Sequence, residues 1–170
     1  MAAYVRDGYG AFRGFRQSKF ESGCCEMVVF RVCGVRQNLY LISLYRNLNP
    51  DDRIFDRLLT SMAAVQAEDA RVSFLFVGDL NDHHQEWLGS TTTNRYGVAA
   101  FDFATLCGCD QLVVGPTHAC GGTLDLLMTA VPDQVRVYVE ASIGNLDHSS
   151  LSAVISMAQA GQNLCVSRKV

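Results

Sequence analysis

Val72-Ser73-Phe74-Leu75-Phe76-Val77-Gly78-Asp79-Leu80-Asn81-Asp82-His83-His84 joins two kinds of sequence in one stretch. Val72–Val77 is a near-continuous apolar run, the pattern of a strand buried on both faces in the middle of a covered sheet. The run ends at Gly78-Asp79. Leu80–Arg95 beyond it is polar, holding Asn81, Asp82, His83, His84, Trp87 and Thr91-Thr92-Thr93-Asn94. That predicts a long loop with at most a short helix, and a loop of this length in a compact domain is usually functional. A carboxylate and an amide therefore leave the end of a buried strand.

Upstream, Cys25–Val32 and Asn38–Leu44 are short runs rich in β-branched and aromatic residues, and they predict an antiparallel pair. A helix signal follows, with Asn49 as N-cap, Pro50 at the first helical position and Asp51 and Asp52 in the first turn. Ile54, Phe55, Leu58, Leu59, Met62 and Val65 recur at helical spacing up to about Ala67. Downstream, the pattern predicts a helix over Gly97–Leu106 and strands at Gln111–Val114, Thr123–Thr129, Val135–Glu140 and Leu151–Ile155. A turn is expected at Pro116-Thr117 and a polar loop over Gly144–Ser150. Residues 1–157 are expected to form the domain and 158–170 a loose tail. Strands interleaved with helices define a mixed α/β class.

The chain has 170 residues, 49% of them hydrophobic and 18% charged. It is one domain's worth of sequence with enough apolar residues for a core, which excludes a disordered tail or a coiled-coil rod. The net charge is −3, unevenly spread: residues 1–46 carry +4 and residues 47–150 carry −9. A basic edge beside an acidic middle suits a protein that holds a cation among carboxylates with an anion next to it. The seven cysteines include no C-x-x-C pair, so zinc is not expected. No apolar h-region opens the chain and no run approaches the roughly 20 residues of a membrane helix. The expectation is a nuclear or cytoplasmic protein with reduced thiols, neither secreted nor membrane-bound.

The chemistry-bearing residues collect at strand ends: Asp79 and Asn81 after one strand, Asp125 after Thr123-Leu124 in another, and Asp147-His148 in the last loop. Carboxylates, an amide and a histidine so placed are the requirements of metal-assisted attack on a phosphate. A carboxylate holds a divalent cation, a base aligns water, and a second carboxylate fixes the tautomer of the histidine.

Gly78-Asp79-Leu80-Asn81, Thr123-Leu124-Asp125-Leu126 and Leu146-Asp147-His148-Ser149, in that order, resemble the G-D-F-N, x-L-D-L and S-D-H motifs of the endonuclease/exonuclease/phosphatase superfamily. Tyr45-Arg46-Asn47 resembles that family's tyrosine motif. The run from Asp79 through Ser90, followed by Asn94-Arg95-Tyr96-Gly97, resembles the apurinic-type endonuclease domains of non-LTR retrotransposons, and Pro116-Thr117-His118 fits as well. The resemblance implies a four-layer sandwich of two mainly antiparallel sheets flanked by helices. It also implies Mg²⁺- or Mn²⁺-dependent hydrolysis of a DNA phosphodiester. In that scheme Asp79 orients or deprotonates the attacking water, Asn81 holds the water or the phosphate, and His148 faces the scissile phosphate, oriented by Asp125. Tyr45 contacts the phosphate or leaving group, and Asp147 and Asp79 lie at the metal. Arg46, Asn94, Arg95 and Thr117 are the implied DNA contacts. His83, His84 and Trp87 are expected to pack rather than bind metal, because adjacent side chains in extended chain point opposite ways.

This sequence departs from the family pattern. Leu146 stands for the usual Ser, Leu80 for Phe and Asp82 for a small residue, and Leu88 interrupts the W-G-S run. Tyr45 arrives too soon for the family's earlier Asn and metal-binding Glu to precede it, so the resemblance implies an N-terminally truncated domain with weakly bound metal. Glu21, Glu26 or a second copy are the candidate replacements. Uncovered sheet edge is expected to favour a homodimer. A catalytically impaired remnant serving as a binding or self-associating module is the alternative, and a phosphatase on small phosphoesters or inositol lipids a third.

Overall fold

The computed structural model describes residues 12–14, 25–33, 38–47, 53–144, 146–156 and 163–168. Nine strands and three α-helices are present among them, with one short 3-10 turn at Pro132–Gln134. In chain order they are β1 (Phe12–Gly14), β2 (Cys25–Cys33), β3 (Asn38–Arg46), α1 (Ile54–Glu68), β4 (Val72–Asp79), α2 (Gln85–Leu88), α3 (Arg95–Leu106), β5 (Asp110–Gln111), β6 (Asp125–Thr129), β7 (Val135–Glu140), β8 (Ser150–Ser156) and β9 (Asn163–Arg168). They make a six-stranded sheet in the order β1-β2-β3-β4-β6-β5 and a three-stranded sheet in the order β7-β8-β9.

β2 and β3 pair antiparallel, as their short runs of β-branched and aromatic residues predict. β3 and β4 pair parallel, so the chain must cross back between them, and α1 is that crossover. Ile54, Phe55, Leu58 and Met62 form its buried stripe. They pack with Phe103 and Ala104 of α3 over Tyr40, Ile42, Phe74, Phe76 and Met128 of the large sheet. Phe103 sits at the centre, with ring centroids 5.1 Å from both Phe55 and Phe76. The opposite face of the sheet, through Leu39, Leu41, Leu75, Val77 and Leu127, packs on Val135, Leu151, Ala153 and Ile155 of the small sheet. β4 thus buries side chains on both faces, Leu75 and Phe76 both at 0% exposure. Each such side chain contributes about 1.5–3 kcal/mol. Among the described residues the layers are helices, large sheet, small sheet, with both sheets predominantly antiparallel; the two facing sheets of the expected four-layer sandwich are present, and the described helices cover the outer face of the large one.

Gly78 explains how closely β3 and β4 approach. A Cβ there would lie 1.7 Å from the carbonyl oxygen of Leu44, so no other residue fits without parting the strands.

Some boundaries differ from expectation. Gln111–Val114 was expected as a strand, but β5 stops at Gln111, whose side chain bonds both the N–H and the C=O of Val113 and turns the chain locally. β6 starts at Asp125 rather than Thr123, because Thr123 Oγ1 donates to Gly115 O at 2.8 Å and ties that end to a loop. Asn163–Arg168, in the segment expected as a loose tail, pairs antiparallel with β8 as β9. The expected cap residues Asn49, Pro50, Asp51 and Asp52 lie outside the described residues; the described helix starts at Ile54. No helix among the described residues is long and apolar enough to cross a membrane.

Candidate active site

Strand register assembles the site. Tyr45 pairs with Asp79, and Asp79 with Asp125, so the three stand side by side across β3, β4 and β6. Glu26 extends the row, paired with Tyr45 from β2. Directly paired residues project from the same face, here the one that also carries Leu75, Val77 and Leu127 toward the small sheet. Asp79 and Asp125 are buried, at 4% and 1% exposure, while Tyr45 is 40% exposed.

His148, two residues ahead of β8, reaches this row. Its Nδ1 lies 2.7 Å from Asp125 Oδ2. A carboxylate only accepts, so Nδ1 carries the proton and Nε2 is left to face outward. Nε2 stands 3.9 Å from Asp79 Oδ2, too far for a hydrogen bond. The other oxygen, Asp79 Oδ1, accepts from the Asn81 N–H at 3.0 Å.

A second group overlaps the first. Asp147 is mostly exposed, and its Oδ2 lies 3.4 Å from His118 Nε2. A backbone hydrogen bond lowers the Asp147 carboxyl below its ordinary value, and His118 and His148 lower it further against the cost of burial. His118 and His148 meet edge to face with ring centroids 4.8 Å apart. Asp79, Asp125 and His148 form one set whose ligand-capable atoms lie within 4.8 Å of one another; His118, Asp147 and His148 form another. Mg²⁺ and Mn²⁺ take one or two carboxylates and keep several waters. His148 belongs to both sets, one carrying the buried Asp79 and the other the exposed Asp147, so carboxylate donors stand on either side of it and the residues present fit a divalent cation.

The turn after β4 is locked from β3. Arg46, 3% exposed, donates from Nε to Leu80 O at 2.5 Å and from Nη2 to Asn81 O at 3.1 Å. Nη2 also bonds the carboxylate of Asp82. Asn81 Nδ2 returns a bond to Arg46 O at 2.9 Å, and the guanidinium lies 4.5 Å from the Tyr96 ring centroid. Asn81 itself adopts φ 50°, the left-handed region that asparagine tolerates best after glycine. Burial pushes the Asp82 carboxyl up to about 7, against the lowering pull of Arg46.

Three expected DNA contacts are held in other work. Arg46 is interior, its guanidinium donating to the Asp82 carboxyl group and to two backbone carbonyls. Thr117 is 0% exposed, and its Oγ1 accepts from the Leu124 and Asp125 N–H groups, both at 3.0 Å. Asn94 is the N-cap of α3, accepting from Gly97 N at 2.7 Å, the task for which asparagine ranks highest. Arg95 is exposed, with its guanidinium against the Tyr96 ring. His84 caps α2, accepting from Trp87 N at 3.2 Å, and both rings contact Phe101, so the pair packs as expected. Glu21 lies outside the described residues. His118 had no expected role; its place in Pro116-Thr117-His118 was the only signal.

No protein-family model matches the chain, and no curated protein matches it. Solved structures do. The endonuclease domain of TRAS1, a telomere-specific non-LTR retrotransposon, superposes with a TM-score of 0.61 at 15% identity, covering 94% of this chain and 67% of that domain. Truncated Caenorhabditis elegans TDP2 gives 0.48 at 10% identity, covering 93% of this chain and 64% of that one. The human Nocturnin catalytic domain with bound sulfate gives 0.42 at 10% identity, covering 84% and 51%. At these identities the first of the three shows a shared fold, over about two thirds of that domain's length.

Proposed function

We propose that this chain, which has the endonuclease/exonuclease/phosphatase fold, is a metal-assisted phosphodiester hydrolase that nicks DNA, of the retrotransposon endonuclease type. The observation that carries the reading is His148 standing between two carboxylates, bonded to Asp125 at 2.7 Å and 3.9 Å from Asp79. Bond and gap have different uses. The Asp125 bond fixes the imidazole, so that Nε2 faces the reacting phosphate and can exchange a proton or stabilise negative charge there. Asp79 is oriented by the Asn81 N–H on one oxygen and presents the other to an attacking water. Asn81 helps to hold that water or the phosphate, and the exposed Tyr45 hydroxyl contacts the phosphate or leaving group from the neighbouring strand. Asp147 and Asp79 would hold a Mg²⁺ or Mn²⁺ ion, which supplies Lewis-acid neutralisation of the phosphoryl oxygens. Among the expected DNA contacts, the exposed Arg95 is the one whose placement suits the role.

The TRAS1 domain is an endonuclease by name, and the retrotransposon-like Asp79–Gly97 run of this chain favours nucleic acid over a small phosphoester. Supercoiled plasmid incubated with Mg²⁺ or Mn²⁺ tests this. The parent should produce nicked circles, Asp79→Ala and His148→Ala should not, and a soluble phosphomonoester should turn over far more slowly. An inactive parent would overturn the assignment in favour of a non-catalytic module. The observation that favours such a module is β7, at the edge of the described small sheet with Tyr138 and Val139 at 49% and 38% exposure. A second copy pairing along such an edge would make the homodimer, which sedimentation at several concentrations would reveal.

A further inference from the structure

His118 takes no part in the chemistry just proposed, yet the fold holds it firmly beside Asp147. The segment around it is joined to the segment around His148 by Ser149 N–H donating to Thr117 O at 2.7 Å and Ala119 N–H donating to Asp147 O at 2.8 Å. The same loop is closed on itself, with the N–H groups of Thr117 and His118 donating to Gly122 O at 2.9 and 3.1 Å. Thr117 anchors it to β6 through Asp125. His118 is therefore carried on a rigid support that also carries the histidine of the site.

The ring's proton is fixed by its surroundings. His118 Nδ1 accepts from the Cys120 N–H at 3.1 Å, so in the neutral ring the proton sits on Nε2, the nitrogen that faces Asp147 at 3.4 Å. For Nε2 to offer a lone pair to a cation, the proton would have to move to Nδ1 and meet the Cys120 N–H head on. That disfavours His118 as a ligand and leaves it a donor. Asp147 needs one, because its side chain is 70% exposed and an exposed carboxylate samples several rotamers.

We propose that His118 is a positioning residue. Its Nε2–H holds the Asp147 carboxylate in the orientation that meets a divalent cation next to His148. This rests on the metal-assisted reading above. The His118 contact, 3.4 Å in this structure, removes rotamer freedom that ion binding would otherwise have to remove, and polar partners of metal ligands are commonly worth about 10–100-fold in affinity or activity.

Mn²⁺ binding to the full chain, followed by calorimetry, tests it beside plasmid nicking. His118→Ala should weaken Mn²⁺ by about 10-fold or more. His118→Asn places its amide near the Nδ1 position and can keep the loop bond to Cys120, but gives Asp147 no donor; it should be as weak as the alanine variant while melting like the parent. His118→Gln reaches the Nε2 position with an N–H and should restore most of the affinity. In an Asp147→Ala background, His118→Ala should change nothing further. Parent-like Mn²⁺ affinity in His118→Ala, or rescue by Asn and not by Gln, would overturn the positioning role and leave the functional reading standing. A parent that neither binds Mn²⁺ nor nicks DNA would overturn the functional reading, and this inference with it.

Discussion

His148 Nδ1 lies 2.7 Å from Asp125 Oδ2, and Asp125 is itself the strand partner of Asp79. One imidazole is thereby fixed to the sheet row that carries the candidate base. The carboxylate holds the ring by accepting from Nδ1–H, so an amide in its place could offer an N–H to Nδ1 and favour the other tautomer. Asp125→Asn should therefore lower the plasmid-nicking rate by about 10²–10⁴-fold, the range for loss of a positioned acid or base. The fold should survive, since the Asp125 N–H remains bonded to Thr117. A nicking rate within a few-fold of the parent would count against this role.

Thr117 makes a separate prediction, about stability. Its hydroxyl is the acceptor for two neighbouring backbone N–H groups, those of Leu124 and Asp125. Valine keeps the volume and removes the acceptor, leaving both donors short of a partner where the side chain is fully buried. Each such donor costs about 1–3 kcal/mol, so Thr117→Val should lose on the order of 2–6 kcal/mol in urea denaturation. Thr117→Ser, which keeps the oxygen, should stay near the parent.

Two glycines should respond differently to alanine. Gly78→Ala drives a methyl to 1.7 Å from Leu44 O, between two central strands. The loss should reach at least about 3 kcal/mol, the upper end of ordinary overpacking, and the soluble yield should fall. Gly89 has φ 62°, and a Cβ placed on it would meet nothing within 4 Å, so Gly89→Ala should encounter only left-handed strain of about 1–2 kcal/mol. Equal melting temperatures for the two variants would contradict this account.

How much of this was legible in sequence follows from the range of the signal. Short runs rich in apolar, β-branched and aromatic residues and helical spacing are local signals, and they placed β2, β3, α1, β4, β7 and β8 to within a few residues. The row Tyr45, Asp79, Asp125 needed pairing register, which no local pattern carries; the ordered motifs stood in for it. The interior place of Arg46 was not legible because its partner Asp82 is 36 residues away, and nothing around an arginine beside a tyrosine motif announces a buried side-chain partner. The buried place of Thr117 was hidden for the same reason, its hydroxyl meeting N–H groups across a loop. Asn94 was readable in principle, since an asparagine just ahead of a helical stretch is a cap signal. β9 pairs with β8 although its own sequence, Asn163–Arg168, alternates too weakly to mark a strand.

The buried Asp82 carboxyl gives stability a pH-dependent contribution of its own. The carboxyl of Asp82 rises from an ordinary 3.8 to about 7 because burial penalises its charged form. Between about pH 4 and 7 the folded chain therefore holds a proton that the unfolded chain releases. Stability from this group is fully present below that window, falls as pH rises through it, and levels off above about pH 7. The slope is at most about 1.4 kcal/mol per pH unit, the limit for a single proton. Asp82→Asn fills the same space, can still accept from Arg46, and has no proton to release. Urea denaturation of parent and variant at about pH 5, 6, 7 and 8 should therefore show the parent losing stability relative to the variant up to neutrality and running parallel to it above. A constant difference across that range would mean that Arg46 keeps Asp82 ionised throughout, and that the attraction within the pair outweighs the cost of burying it.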